Sequence, residues 1–274
     1  MKFFSVNNLT AGYGKHKILS NLSFESDDSS TIGILGANGS GKTTLLKAIC
    51  GIIPHEGICQ LDGNILEQKN PKQLAKLCSY IPQRSGISID ISVLDTVLMG
   101  FHPYLSFLDH PSAQMKEKAI KLIRLVGLNG KENTNYLHLS EGQKQLCILA
   151  RTLVTNSKLL LLDEPESALD FHFRYQMLEL IRIWNKETHS TSLISLHDPT
   201  LALNSCDKLL LLSKGHIITT ICPQIDELSN MEEKLCQLYG NISLHYCTNK
   251  NGTKQIVMLK ENLFENSNKN LFFR

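Results

Sequence analysis

Apolar and polar positions alternate in short stretches over the first sixty residues and recur at helical spacing in the middle of the chain. The change of period marks off its parts. Residues 3–9 (FFSVNNL), 17–26 (KILSNLSFES) and 57–63 (GICQLDG) read as short strands, parted by polar turns at 26–30 and Asp62-Gly63. Between them lies a compact apolar strand, 31–35 (TIGIL), which runs into a glycine-rich stretch. A helix is predicted next, with Leu45, Leu46, Ile49 and Cys50 on one face.

From about 84 to 157 no strong strand is legible. Met115, Ala119, Leu122, Ile123 and Val126 fall at helical spacing, and Gly127 stops that helix. A second helix begins after Ser140, with Leu146, Leu149, Ala150, Leu153 and Val154 on its apolar face. This stretch reads as a helical insert. Beyond it, 158–162 is an unbroken aliphatic run suited to a parallel strand covered on both faces. A helix carrying Phe173, Met177, Leu180, Ile181 and Trp184 follows, then the strand TSLISL at 191–196. KLLLL and HIITTI form a hairpin around Lys214-Gly215. Strands alternating with helices predict a parallel sheet with helices on its faces. We therefore expect one domain over 1–225 with 84–157 inserted, a small helix-hairpin appendage over 226–264 turning at 249–252, and a loose tail over 265–274.

Composition narrows the function classes. With 274 residues, 42% hydrophobic and 20% charged, the chain buries a core that needs no disulfide or structural metal. A formal charge of only +2 gives no basic footprint, so no nucleic-acid partner is expected. The eight cysteines include no CxxC pair, which argues against a zinc site and for free thiols in a reducing cytosol. The N-terminus lacks a signal-peptide pattern, and no apolar run reaches the 18 or so residues of a spanning helix. A soluble protein is expected, one that docks to a membrane if it serves one.

The strongest chemical signal is Gly36-Ala37-Asn38-Gly39-Ser40-Gly41-Lys42-Thr43, which fits G-x-x-x-x-G-K-[ST] with a strand before it and a helix after. A triphosphate needs several N–H donors converging on its oxygens, and glycines let the backbone wrap closely enough to supply them. The helix starting near Lys42 adds its positive end. In this reading Lys42 meets the β- and γ-phosphates, Thr43 offers a hydroxyl to Mg²⁺, and Thr44 bonds the α-phosphate. Asp163 and Glu164 end the aliphatic strand, where ligands bind in open α/β sheets. Asp163 is the candidate Mg²⁺ partner and Glu164 the candidate general base for water. His197, just past another buried strand, would sense the γ-phosphate and orient the water.

Leu139-Ser140-Glu141-Gly142-Gln143 is by itself a helix cap with an acid in the first turn. Placed after a phosphate loop and before Asp163-Glu164, it resembles the signature sequence of the ATP-binding subunits of ABC transporters. The resemblance runs in family order over roughly residues 3–220. Tyr13 looks like the aromatic residue that stacks on adenine. Gln83 in YIPQ looks like the glutamine that contacts Mg²⁺ and water and couples to the membrane partner, and 167–170, ending in Asp170, looks like the D-loop. YIPQ, the segment SVLDTVLMGFHPYL and LYG before a terminal hairpin resemble the subunits energising iron-siderophore, haem and cobalamin importers, with molybdate-type importers close behind.

The resemblance implies an α/β P-loop NTPase fold with a RecA-like parallel sheet, an N-terminal antiparallel β subdomain, a helical insert and a C-terminal hairpin. It implies ATP and Mg²⁺ as ligands. It also implies a head-to-tail homodimer with two ATP sites at the interface, where Ser140, Gly142 and Gln143 of one copy close on the nucleotide of the other. Integral-membrane permease subunits and, indirectly, a solute-binding protein follow as partners, at the cytoplasmic face of the inner membrane. Residues between about Gln83 and Pro111 would receive the permease, although Val93, Leu94, Val97, Leu98 and Phe101 read equally as core. Three departures stand out: Glu141 where the family usually has Gly, Glu166 where it has Thr, and a turn at 26–30 without Pro-Gly-Glu. Soluble ABC ATPases of translation or DNA repair, which usually carry two cassettes, and exporter subunits are the rival readings.

Overall fold

A computed structural model describes residues 2–83, 87–106, 108–167 and 169–261. In chain order it places β1 (Phe4–Tyr13), β2 (His16–Ser26), β3 (Thr31–Leu35), α1 (Lys42–Ile49), β4 (His55–Leu61), β5 (Asn64–Ile65), α2 (Pro71–Leu77) and β6 (Cys78–Ile81). The middle is helical, with α3 (Val93–Leu98), α4 (Ala113–Leu125) and α5 (Glu141–Leu153). Then come β7 (Leu159–Asp163), α6 (Phe171–Thr188), β8 (Thr191–Ser195), α7 (Pro199–Ser205), β9 (Lys208–Ser213) and β10 (His216–Ile221). The chain closes with α8 (Leu228–Tyr239), β11 (Ile242–Thr248) and β12 (Lys254–Lys260).

The strands form an antiparallel sheet β2-β1-β4-β5, a main sheet β10-β9-β3-β8-β7-β6 and a two-stranded ribbon β11-β12. In the main sheet β3, β6, β7, β8 and β9 are parallel and β10 turns back along β9. The β9–β10 turn has Lys214 and Gly215 both at positive φ, as a two-residue hairpin requires. β3, β7 and β8 are buried along their whole length; in β3 and β7 this explains apolar runs without alternation, while β8 buries Thr191, Ser192 and Ser195 as well. One apolar cluster lies between this sheet and the antiparallel sheet, the other between this sheet and the helices.

α2, β6 and α7 were not legible beforehand. β6 is four residues long with two of them buried, too short to show a period, and it is a strand because β7 pairs with it. α2 rests on a capping box, Asn70 with Gln73, and on Pro71 at its first position. Val93, Val97, Leu98 and Phe101 are buried in the core of the helical unit, so they serve packing. The terminal ribbon stands because it is docked: a lone hairpin is marginal in water. Here the Asn204 amide of α7 donates to the Ile256 carbonyl (2.7 Å) and accepts from the Ile256 N–H (2.9 Å), and Ile242, Leu244 and Ile256 join the main core. The expected tail at 265–274 lies outside the described residues. No described helix is long and apolar enough to cross a membrane.

Topology brings distant motifs together. Ile34 of β3 is level with Ser195 of β8, which is level with Asp163 of β7, and Ile81 of β6 is level with Leu162. The segments leaving these four strands, carrying Gly36–Thr43, His197, Glu164 and Gln83, therefore emerge side by side at one carboxyl edge of the sheet.

Candidate functional site

The loop between β3 and α1 has the shape its glycines allow. A Cβ on Gly36 would lie 2.3 Å from the Leu212 carbonyl oxygen, and Gly41 holds φ 109°, which side-chain-bearing residues avoid. The loop is pinned from outside as well: the Gly215 N–H donates to the Ser40 carbonyl (3.1 Å), tying it to the β9–β10 turn. Lys42 is buried, and its ammonium donates to the carbonyls of Gly36 (2.8 Å) and Ala37 (3.3 Å). Burial pulls its pKa down, while Glu164, Asp163 and Glu166 oppose that.

A cavity of about 490 Å³ opens over this loop. Asn38–Thr44 floor it, and Tyr13, Ile18, Gln83, Glu164 and His197 complete its wall. Its chemistry suits a polyphosphate. The first turn of α1, the Lys42 ammonium and the Thr43 and Thr44 hydroxyls gather on one side, and the buried Ser40 hydroxyl has no partner among the described residues. Tyr13, 48% exposed, stands at the wall as a free aromatic face.

The carboxylates adjoin these groups. Asp163 Oδ1 accepts from the Thr43 hydroxyl (3.1 Å) and the Ser195 hydroxyl (2.9 Å), and its Oδ2 from the Tyr80 hydroxyl (3.3 Å). Burial, and then Asp163, push the Tyr80 phenol pKa up, which keeps it a donor. Glu164 sits at φ 51°, a left-handed conformation costing on the order of 1 kcal/mol for a residue with a Cβ. Its N–H is held by the Ser195 hydroxyl (2.9 Å). Its Oε2 accepts from the Gln83 amide and lies 2.6 Å from His197 Nε2. Gln83, Glu164 and His197 thus meet at one oxygen. Tyr80 and Ser195, which hold Asp163 and Glu164 in place, were missed in the sequence. Their only signal was position, three residues before Gln83 and two residues before His197.

Glu166 is 2% exposed. One of its oxygens accepts from the His197 N–H (3.3 Å), and the other has no partner among the described residues. Burial raises its carboxyl pKa. A carboxyl raised on folding binds its proton more tightly in the native state. Its stability contribution is therefore present below the unfolded value of about 4.5 and is lost as pH rises through the folded value. Glu166→Gln, which mimics the protonated form, should raise the melting temperature at pH 8 and leave it nearly unchanged at pH 4. Equal melting shifts at both values would exclude a buried charge at this position.

The remaining expected residues lie elsewhere. Ser140, Gly142, Gln143 and Asp170 do not line the cavity. The Ser140 hydroxyl accepts from the Gln143 N–H (3.3 Å) and the Gln143 amide oxygen from the Ser140 N–H (3.2 Å), a capping box at the head of α5. Asp170 caps α6 through the Phe173 N–H (3.1 Å), and a Cβ on Gly142 would lie 3.3 Å from Leu169. Glu141 points outward and pairs with Lys144 at 2.7 Å on its own helix. A separate groove of about 800 Å³ runs beside α3, walled by Ile91, Asp95, Met99, His102 and Lys116. The Gln145 amide of α5 donates to the Gln83 carbonyl (3.4 Å), joining the helical unit to the site.

Comparison with known proteins places this geometry. The family profile described as "ABC transporter" matches residues 19–167. An iron chelatin transport ATP-binding protein of Helicobacter pylori is 37% identical over 210 residues, 76% of this chain and 82% of the relative. A hemin import ATP-binding protein of Deinococcus radiodurans is 32% identical over 252 residues, 89% of this chain and 94% of the relative. Among solved structures, a metal-chelate type ABC transporter in an inward-facing conformation superposes with a TM-score of 0.80 at 26% identity, covering 96% of this chain and 100% of that one.

Proposed function

The chain belongs to the ABC transporter family as an ATP-binding member that hydrolyses ATP, and on that premise we propose that it powers an importer of a metal chelate, of the iron-siderophore or haem type. The names of its relatives support that solute class over cobalamin or molybdate. The observation that carries the mechanism is the division of the site. Asn38–Thr44, Tyr13, Gln83, Glu164 and His197 meet in one cavity, with Asp163 joined to it through Thr43, whereas Ser140, Gly142 and Gln143 stand apart with their helix head free to meet another copy.

In this reading Tyr13 stacks on adenine. Gly36 to Gly41 wrap the phosphates, Lys42 neutralises the β- and γ-phosphates, and Thr44 bonds the α-phosphate. The hydroxyl–carboxylate pair Thr43 and Asp163 fits Mg²⁺, with Gln83 beside it, and the ion would neutralise charge on the phosphate oxygens. Glu164, released from Gln83 and His197, takes a proton from water, and His197 holds the γ-phosphate. Two copies arranged head to tail enclose two ATP molecules, with Ser140, the Gly142 N–H and Gln143 across each interface and Asp170 near the partner's site. Residues 1–225 form the working domain, 84–157 the inserted helical unit that faces the permease through the groove beside α3, and 226–264 an appendage. The pair sits on the cytoplasmic face of the inner membrane, and a solute-binding protein acts on it only through the permease.

Purification of the tagged chain from gently solubilised native membranes tests this. A polytopic permease should co-purify, and adding solute-loaded binding protein should stimulate ATP turnover. Recovery with ribosomes or DNA, and with no membrane protein, would replace the importer by the translation or repair reading.

A further inference from the structure

The eight cysteines have no metal-type spacing in the sequence, yet the fold assembles a mixed ligand set remote from the nucleotide. His55 and Cys59 both lie on β4, four residues apart, and in a regular strand their Cα atoms would be separated by ~13 Å. The strand is not regular. Gly57 adopts φ 98°, a Cβ there would meet the Asn7 and Asn8 carbonyl oxygens at 2.6 Å, and the pairing with β1 shifts register between Asn7 and Thr10. This bulge, with the reach of the imidazole, sets His55 Nε2 3.8 Å from Cys59 Sγ. Glu67, in the turn after β5, brings Oε1 to 2.8 Å from the same His55 nitrogen. All three ligand atoms fall within 4.8 Å of one another.

We propose that His55, Cys59 and Glu67 bind one divalent transition ion of the Zn²⁺ class. One imidazole, one thiolate and one carboxylate form a set that suits a borderline-soft cation and leaves a fourth position open. With Zn–N and Zn–O bonds of about 2.0–2.1 Å and Zn–S of about 2.3 Å, neighbouring tetrahedral ligands stand ~3.3–3.6 Å apart. The His55–Glu67 and His55–Cys59 separations, 2.8 and 3.8 Å, bracket that value. Glu67 Oε1 also accepts from the Cys59 N–H (2.7 Å), so a backbone donor orients the carboxylate that completes the ligand set. The His55 side chain is only 8% exposed. His55 and Glu67 also line a cavity of about 380 Å³, together with Cys50, Cys78 and Tyr80. Tyr80 is the residue that donates to Asp163, so this cavity abuts the support of the nucleotide site.

The test uses full-length protein without a polyhistidine tag. Titration with Zn²⁺ against a competing chelator should give one tight equivalent, and Co²⁺ should give a thiolate-to-cobalt charge-transfer band in the near ultraviolet. Cys59→Ser and His55→Ala should weaken binding at least about 100-fold and abolish the band. Cys50→Ser, on the cavity wall outside the ligand set, should change neither. Zn²⁺ should raise the melting temperature of the wild-type protein and not that of Cys59→Ser. Should His55→Ala or Cys59→Ser unfold, Glu67→Gln decides: its amide oxygen keeps the Cys59 N–H bond but lacks the anionic ligand, and an at least tenfold loss of affinity is expected. Absence of a stoichiometric ion, or affinity undiminished in these variants, would mean that the cluster is only a hydrogen-bonded bracket of the bulge.

Discussion

Glu164→Gln is expected to bind ATP with wild-type affinity while its steady-state turnover falls about 10²- to 10⁴-fold, the contribution of a positioned general base. The substitution is nearly isosteric, and the backbone at φ 51° carries one Cβ-bearing residue in place of another, so the loop should not rearrange. What changes is the proton acceptor. Glu164 Oε2 meets Gln83 Nε2 and His197 Nε2, and an amide keeps a hydrogen-bond acceptor without the basicity to deprotonate water. With cleavage stalled, the closed pair should persist. Size-exclusion chromatography with Mg²⁺ and ATP should show a dimer for this variant and mostly monomer for the wild type. Unchanged turnover would remove Glu164 as the base.

Ser140→Arg tests the other half of the site. A bulky cation at the head of α5 should abolish ATP-driven dimerisation and reduce ATP turnover to the background of the isolated chain. Nucleotide affinity of the monomer should stay nearly intact, because Ser140 lies outside the cavity floored by Asn38–Thr44. One confounding effect has a known size: Ser140 caps α5, and losing a cap costs about 1 kcal/mol. Ser140→Asp separates the two effects. Aspartate keeps the cap and favours the helix terminus, but sets a carboxylate against the γ-phosphate of the opposing copy. It should melt no lower than the wild type and still fail to dimerise. Dimerisation by Ser140→Arg would end the cross-interface role assigned to this serine.

Glu141 shows how a departure from a motif is judged. In the sequence it is a departure from the family's usual glycine that puts an acid in the first turn of α5. In the fold it is exposed and paired with Lys144, so it acts within its own helix. Glu166 went the other way. Read along the chain it is one more acid after Asp163-Glu164, but the fold buries it against the His197 backbone with one oxygen unpartnered. Burial is set by what packs from other segments, and no local pattern reports it.

The division between what was legible and what was not follows from contiguity. Phosphate is gripped by consecutive backbone amides and one helix head, so Gly36 to Thr44 declare their chemistry in a single stretch. The buried strand β7 is an unbroken aliphatic run, and the parallel sheet, the β9–β10 hairpin, the stop of α4 at Gly127 and the head of α5 at Ser140 are legible from spacing, turns and caps. β6 is a strand only by its pairing with β7. Tyr80 and Ser195 matter only because register sets them around Asp163. His55, Cys59 and Glu67 meet only because Gly57 breaks the regularity of β4. Each of these depends on a contact between segments far apart in the chain or on a bend that periodicity hides, and such contacts exist only once the chain has folded.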